Sequence, residues 1–208
     1  MAPQDYQFFY QRHLPHYQPP GATLFITFRL AGSLPEEVIR RLEAEVRQKE
    51  SEIGGIIDAQ AQKESVFSTQ KRLFVKWDEE LDSARHGPKW LSVPAITNLV
   101  CEALDYRDGR VYTLDAYCVM PNHVHLVCTP LIGEDKVQPI SKIMHSLKGF
   151  TARQANLLLG REGAFWQHES YDHVVRNSEE YQQIVSYVME NPRRVGLPAH
   201  WVYSRASK

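Results

Sequence analysis

The sequence predicts an α+β fold, and three observations lead there. Runs of β-branched and aromatic residues recur at 23–30, 111–120 and 123–129. The last two runs are joined by Pro121-Asn122 alone, a connection of hairpin length that pairs them antiparallel. Segments with an apolar repeat near 3.6 residues occupy 93–106, 137–159 and 178–192. A central hairpin with amphipathic helices around it reads as a sandwich, with helices packed on one sheet.

Length and composition agree. The chain has 208 residues, and at roughly 150 residues per domain that is a little over one domain. A single domain over 1–208, with a helix and an insertion at 33–92, suits this length better than two full domains. Hydrophobic residues make up 43% and charged residues 24%, which excludes a disordered or collagen-like chain. Lys and Arg total 24 against 25 for Asp and Glu, so the net charge is −1 and a histone-like basic coat is excluded.

The elements follow in order. Residues 1–21 are aromatic and Pro-rich, end in Gln18-Pro19-Pro20-Gly21, and read as an extended arm. TLFITFRL at 23–30 is a strand. Ser33, Pro35 and Glu36 are a helix start, and the charged helix they open runs to about Glu52 before Gly54-Gly55. Residues 56–92 are the least regular, and short helices or loops that pack Trp77, Leu81 and Trp90 are expected there. In 93–106 Ile96, Leu99, Val100, Ala103 and Leu104 share a helix face, and Asp108-Gly109 is a turn. The hairpin follows. The helix at 137–159 has an apolar face of Ile140, Ile143, Leu147, Phe150 and Leu157. Residues 165–175 read as partly extended, and Ser178-Glu179-Glu180 opens a last helix that runs to Pro192. The tail is short and polar.

Cys101, Cys118 and Cys128 form no CxxC and cannot all pair, which suits buried thiols in a reducing compartment. The first residues lack an apolar signal core, and no apolar run reaches the roughly 18 residues of a membrane span. A soluble, cytoplasmic protein is expected.

The chemistry concentrates in Met120-Pro121-Asn122-His123-Val124-His125-Leu126. On a strand, residues i and i+2 share a face about 7 Å apart. His123 and His125 therefore project together, while Val124 and Leu126 point into a core. Two neighbouring imidazoles suit a divalent metal, although two histidines on a solvated strand face have the same spacing. A closed zinc site needs four ligands. Cys128 falls on the opposite face from His125, the register of Cys118 is open, and there is no HExxH or paired CxxC. An open site with two histidines and a third ligand from elsewhere fits better. The last helix offers candidates: Tyr187 and Asn191 lie four residues apart on one face. A phenol beside a cation is a nucleophile for a polarised phosphorus, and Asn191 supplies an oxygen one turn away. Tyr171 and Tyr181 are rivals on spacing alone, and packing or helix termination are ordinary uses of the same residues.

YCVMPNHVHLV resembles the His-hydrophobic-His motif of the HUH nucleases, in the setting found in single-tyrosine transposases. FWQHESYDHVVRNSEEYQQIVSYVMENPRRVGL and SLKGFTARQAN resemble the REP-associated class of that family. The resemblance covers about 6–32 and 70–204 and leaves 33–70 unmatched. It implies a ferredoxin-like fold with an antiparallel central sheet. It implies His123 and His125 as ligands of Mg²⁺ or Mn²⁺, Asn191 in the place of a third ligand, and Tyr187 as nucleophile. It implies cleavage and rejoining of single-stranded DNA at palindromic, REP-like hairpins through a 5′-phosphotyrosine. A retired hairpin-binding regulator and a phosphodiesterase that uses water are the alternatives.

Positive charge leans toward that end, with nine basic and six acidic residues from 137 onward. Lys148, Arg153 and Arg176 are the candidate DNA contacts. Aromatic residues of the arm (Tyr6, Phe8, Phe9, Tyr10) are candidates for stacking on bases. Monomer and homodimer both remain open.

Overall fold

The strand alternation of TLFITFRL and HVHLVCTP builds the centre of a five-stranded sheet in the computed structural model of the protein. The structure describes residues 9–11, 15–17, 19–54, 74–132, 139–194, 196 and 202–204. They fall into two compact units, one formed by 1–31 with 89–208 and the other by Gly32–Pro88.

In the larger unit, β1 (Phe9–Gln11) and β2 (Pro15–Tyr17) form a small antiparallel pair, so part of the arm is a hairpin. The main sheet holds β3 (Leu24–Leu30), β4 (Tyr112–Val119), β5 (His123–Pro130), β6 (Trp166–Val174) and β7 (Val202–Ser204). Their order is β6-β3-β5-β4-β7, and every neighbouring pair is antiparallel. β7 falls in the segment read as a polar tail. Its Tyr203 stacks on Tyr117 of β4 at 5.4 Å, a contact that no local pattern announces.

One face of the sheet carries the core. Leu24, Ile26, Phe28 and Leu30 of β3 and Val124, Leu126 and Cys128 of β5 are buried there. α3 (Pro94–Asp105) and α4 (Ile140–Leu158) supply the other side. The face of α3 is as expected from the repeat, with Ile96, Val100, Ala103 and Leu104 buried and Leu99 partly so. Tyr112 Oη donates to the Leu104 carbonyl at 2.8 Å and ties β4 to the end of α3. α4 differs from its expected face. Ile140, Ile143 and Leu147 are buried, but Met144, Thr151 and Ala155 complete the stripe, and Phe150 and Leu157 are exposed. The stripe of a straight helix drifts around the axis relative to a fixed seven-residue step, and Trp166 takes advantage of this by donating Nε1–H to Thr151 Oγ1 at 2.8 Å.

β4 contains a bulge between Leu114 and Ala116. The extra residue changes the phase of the strand, so Leu114 and Tyr117 both face the core. Cys118 then lies opposite His125 in register. All three cysteines are free thiols, and burial pushes the Cys101 thiol up to about 11.

α5 (Ser178–Arg194) contacts β4, β5 and β7. The helix runs past Pro192 to Arg194. Proline in a helix loses one hydrogen bond, but here it falls in the last turn, and both Asn191 and Pro192 are buried.

The second unit contains α1 (Glu36–Gly54) and α2 (74–82). Arg41 pairs with Glu80 and Lys76 with Glu45, each at 2.5 Å. Leu42 and Leu81 are buried, and Trp77 is half-buried. Trp90, grouped with these by sequence, instead belongs to the larger unit, where it stacks on Phe165 at 5.5 Å. Asp78 of α2 is buried, and burial, aided by Asp82 and Glu79, pushes its carboxyl up to about 8. The irregular stretch at 55–73 lies outside the described residues. No helix among the described residues is long and apolar enough to cross a membrane.

Gly87 adopts φ +71°, and a Cβ there would meet Ser33 Cα at 2.7 Å and crowd the Gly32 carbonyl oxygen. Gly109 has φ +71° with open space around it. Gly109→Ala should therefore cost about 1–2 kcal/mol, the left-handed penalty alone. Gly87→Ala should cost more, because backbone must also move. Urea unfolding midpoints compare the two; equal losses would contradict the close approach.

Candidate active site

The opposite face of the sheet carries polar residues in rows set by strand register. β3 and β5 pair Thr27 with His125 and Arg29 with His123. Directly opposed residues share a face, so these four side chains project together. Cys118 continues the His125 row on β4, and Tyr171 continues it on β6 beyond Thr27. Both histidines are 0% exposed, so they do not lie on a solvated strand face.

Each imidazole is held at Nδ1. His123 Nδ1 lies 2.8 Å from Asn122 Oδ1. An amide oxygen only accepts, so Nδ1 carries the proton and His123 Nε2 keeps its lone pair. His125 Nδ1 lies 2.8 Å from Thr27 Oγ1. A hydroxyl supports either tautomer. It donates to Nδ1 when His125 Nε2–H bonds His123 Nε2, and it accepts from Nδ1–H when Nε2 is needed as a ligand. The two Nε2 atoms converge to 3.0 Å. Burial pushes His123 down to about 3. Burial, then the neighbouring His123, holds His125 well below the usual imidazole range. Both rings are neutral at pH 7, the state a metal ligand requires.

α5 brings the second half of the site. Asn177 Oδ1 accepts the Glu180 N–H at 2.8 Å, as an N-cap does. Glu180 reaches back to the Arg176 backbone N–H at 2.9 Å and meets His173 Nε2 at 3.2 Å. Burial works to raise the Glu180 carboxyl, but bonds from Arg176 and the nearby His173 outweigh it and hold it low. This clasp joins the start of α5 to the end of β6. Further along, Tyr181 Oη donates to Asp115 Oδ1 at 3.2 Å, at the β4 bulge.

Tyr187 is thereby set on the histidine face of its own chain. Its ring meets His125 edge-on, with centroids 5.5 Å apart, and meets Phe25 at 6.3 Å. Phe25 stacks on His125 at 5.5 Å. Asn191 Nδ2 donates to Tyr187 Oη at 3.0 Å. Arg194 Cζ lies 5.7 Å from the Tyr187 ring centroid. The Oδ1 of Asn191 is buried with no hydrogen-bond partner among the described residues. Two convergent neutral nitrogens and an orphaned amide oxygen are a donor set that fits a divalent metal.

Of the residues singled out by sequence, His123, His125, Tyr187 and Asn191 therefore belong to this face. Of the rival tyrosines, Tyr181 is engaged by Asp115, and Tyr171 stands two strands from His125, roughly 10 Å at normal strand spacing. Lys148 and Arg153 lie on α4, in the layer on the other face. Lys148 Nζ donates to the carbonyls of Gln167, His168 and Glu169 at 3.0–3.3 Å and braces β6. Arg153 is exposed. Arg176 Nε pairs with Glu180 at 3.4 Å. The aromatic side chains of the arm lie outside the described residues.

Sequence reading missed Thr27, Arg29 and Asn122 as members of the site, and Asp78 as a buried acid. A signal for two of them was present: Thr27 and Arg29 are the polar pair at i, i+2 in an otherwise apolar strand. Arg29 is 8% exposed; burial lowers its guanidinium to about 10 and Glu169 works in the other direction.

Residues 97–191 match the family model described as "Transposase IS200 like". The resemblance to single-tyrosine transposases holds over that segment, which contains both histidines, α4, β6 and Tyr187. Among solved structures, the chain is similar to a REP-associated tyrosine transposase bound to a REP hairpin. Identity is 18%, with 91% of this chain and 74% of that chain covered and a TM-score of 0.47. No curated protein matches.

Replacing Thr27 by Val removes the group that holds His125 Nδ1, and Mn²⁺ affinity measured by calorimetry should fall about 10- to 100-fold. Unchanged affinity would contradict the role of the hydroxyl. Acid stability supplies a second check. Between the folded value of about 3 for His123 and the ordinary value of 6.5, the unfolded chain binds a proton that the folded chain does not. Stability should therefore fall on acidification below pH 6.5, by up to about 1.4 kcal/mol per pH unit for each histidine. Urea unfolding at pH 7 and 5 should show a steeper loss for wild type than for His123→Asn.

Proposed function

We propose that the protein is a metal-dependent transposase of the single-tyrosine kind, which cleaves and rejoins single-stranded DNA at palindromic hairpins. One observation carries this reading. The Tyr187 phenol sits against the buried His123–His125 pair of the same chain, with the Asn191 amide on its oxygen.

His123 Nε2, His125 Nε2 and Asn191 Oδ1 would hold Mg²⁺ or Mn²⁺. When bound, the ion supplies Lewis acidity and orientation at a phosphate oxygen. The rest is work for the chain's own residues. Asn191 Nδ2–H donates to Tyr187 Oη, which stabilises phenolate character and aims a lone pair. Tyr187 Oη gives its proton to solvent and attacks the scissile phosphorus, the phosphorus–O3′ bond breaks, and O3′ takes a proton from solvent to leave as a 3′-hydroxyl, while the 5′-phosphate stays on the tyrosine. Attack by another 3′-hydroxyl reverses the step and joins strands, with the phosphodiester energy kept in the protein–DNA bond. The Asn191 amide joins both halves: an amide oxygen that coordinates a cation makes its own N–H a stronger donor to the nucleophile.

Arg153 and Arg176 are the proposed phosphate contacts. Arg153 projects from the layer on the other face of the sheet from Tyr187. A DNA strand that meets both must pass around the sheet. Lys148, held by three β6 carbonyls, serves β6 rather than the DNA directly.

The test is a denaturing gel of the protein with labelled single-stranded hairpin DNA from its gene's flanks, in Mn²⁺ and in EDTA. Wild type should form an SDS-resistant adduct only with metal. Tyr187→Phe should bind the DNA with its affinity unchanged and form none. An adduct in Tyr187→Phe, or full activity in chelator, would overturn the reading. Cleavage without any adduct would point to water as the nucleophile.

A further inference from the structure

Arg29 is the penultimate residue of β3 and is only 8% exposed. Register puts it directly across from His123, so both side chains leave the sheet on one face, with Cβ atoms about 5 Å apart. The strand end that carries it is pinned on both sides. Leu30 N–H donates to the Asn122 carbonyl at 2.8 Å and Ala31 N–H to the Phe165 carbonyl at 2.9 Å. The guanidinium therefore has a rigid base beside the histidines. Burial lowers its pKa only to about 10, so it stays cationic at pH 7, and Glu169 on β6 supports that charge.

A phosphodiester seated over His123 and His125, within reach of Tyr187, has two non-bridging oxygens. One faces the histidine nitrogens, and the other needs a donor. The planar fork of a guanidinium matches phosphate oxygens in a way an ammonium does not. We propose that Arg29 is a catalytic residue whose guanidinium binds a non-bridging oxygen of the scissile phosphate beside the His123–His125 pair. This rests on the tyrosine-transposase reading. The charge it meets grows as the pentacoordinate phosphorus forms, so the contact strengthens during reaction.

The experiment uses the full chain and a single-stranded oligonucleotide that wild type cleaves. Two substrates carry at the scissile position either the normal phosphate or one stereopure methylphosphonate, in which a methyl group replaces one charged oxygen. Arg29→Gln should slow adduct formation on the phosphate by about 10²- to 10³-fold. Its DNA affinity in EDTA should stay within about threefold of wild type, a loss in the reaction rather than in binding. On the methylphosphonate that lacks the oxygen facing Arg29, wild type and Arg29→Gln should react at the same rate. Arg29→Lys keeps the charge without the fork and should give an intermediate loss on the phosphate. It also serves if Arg29→Gln does not fold, as judged by thermal melting. A residue that only braces β3 against β6 predicts equal slowing on both substrates. That outcome, or no slowing at all, would overturn the assignment for Arg29 alone. Absence of any adduct in wild type would instead overturn the tyrosine reading, and this inference with it.

Discussion

The antiparallel pairing of β3 with β5 is the constraint on which the rest depends. In a strand pair, a slip of one residue moves every side chain to the other face. Here Leu24, Ile26, Phe28 and Leu30 meet Val124, Leu126 and Cys128 in the core. Any other phase would bury an arginine, a threonine and two histidines among leucines. The apolar half of each strand thus selects the register. The polar half is then assembled as a consequence, with Thr27 across from His125 and Arg29 across from His123. Core and site are two sides of one pairing.

Burying two imidazoles is unfavourable for their charged forms, and the site turns that to use. Desolvation keeps both rings neutral, and Asn122 and Thr27 orient them at Nδ1. What remains is a pair of Nε2 atoms aimed at one point. The tyrosine half is positioned by different means. Glu180 clasps α5 to the end of β6, and the helix then carries Tyr187 two turns further along to His125. Asn191 stays helical in spite of the proline that follows it, and so its amide reaches the phenol.

The sheet separates two surfaces with different duties. α3 and α4 close the core on one side, with Lys148 of α4 bracing the β6 edge. α5 and the histidines occupy the other. The basic residues that composition assigns to one end of the chain are thus divided in space. Charge counted along the sequence does not say which face of a sheet it lands on.

Much of the local structure was legible in the residues alone. Alternation and helix periodicity marked β3, the β4–β5 hairpin, α3, α4 and most of α5, because those patterns are local consequences of burial. The His-Val-His spacing put both imidazoles on one strand face, and the four-residue step put Tyr187 beside Asn191. Long-range pairing settled what remained. β7 and the Tyr117–Tyr203 stack depend on β4, a partner strand far away along the chain. The bulge at Asp115, which turns Cys118 toward His125, is set by pairing with β5 and not by any alternation in β4. The drift of α4 that exposes Phe150 follows from the surface it packs on. Arg29 and Thr27 became part of the site only through register across strands, since a sequence specifies which residues alternate but pairing specifies what they face.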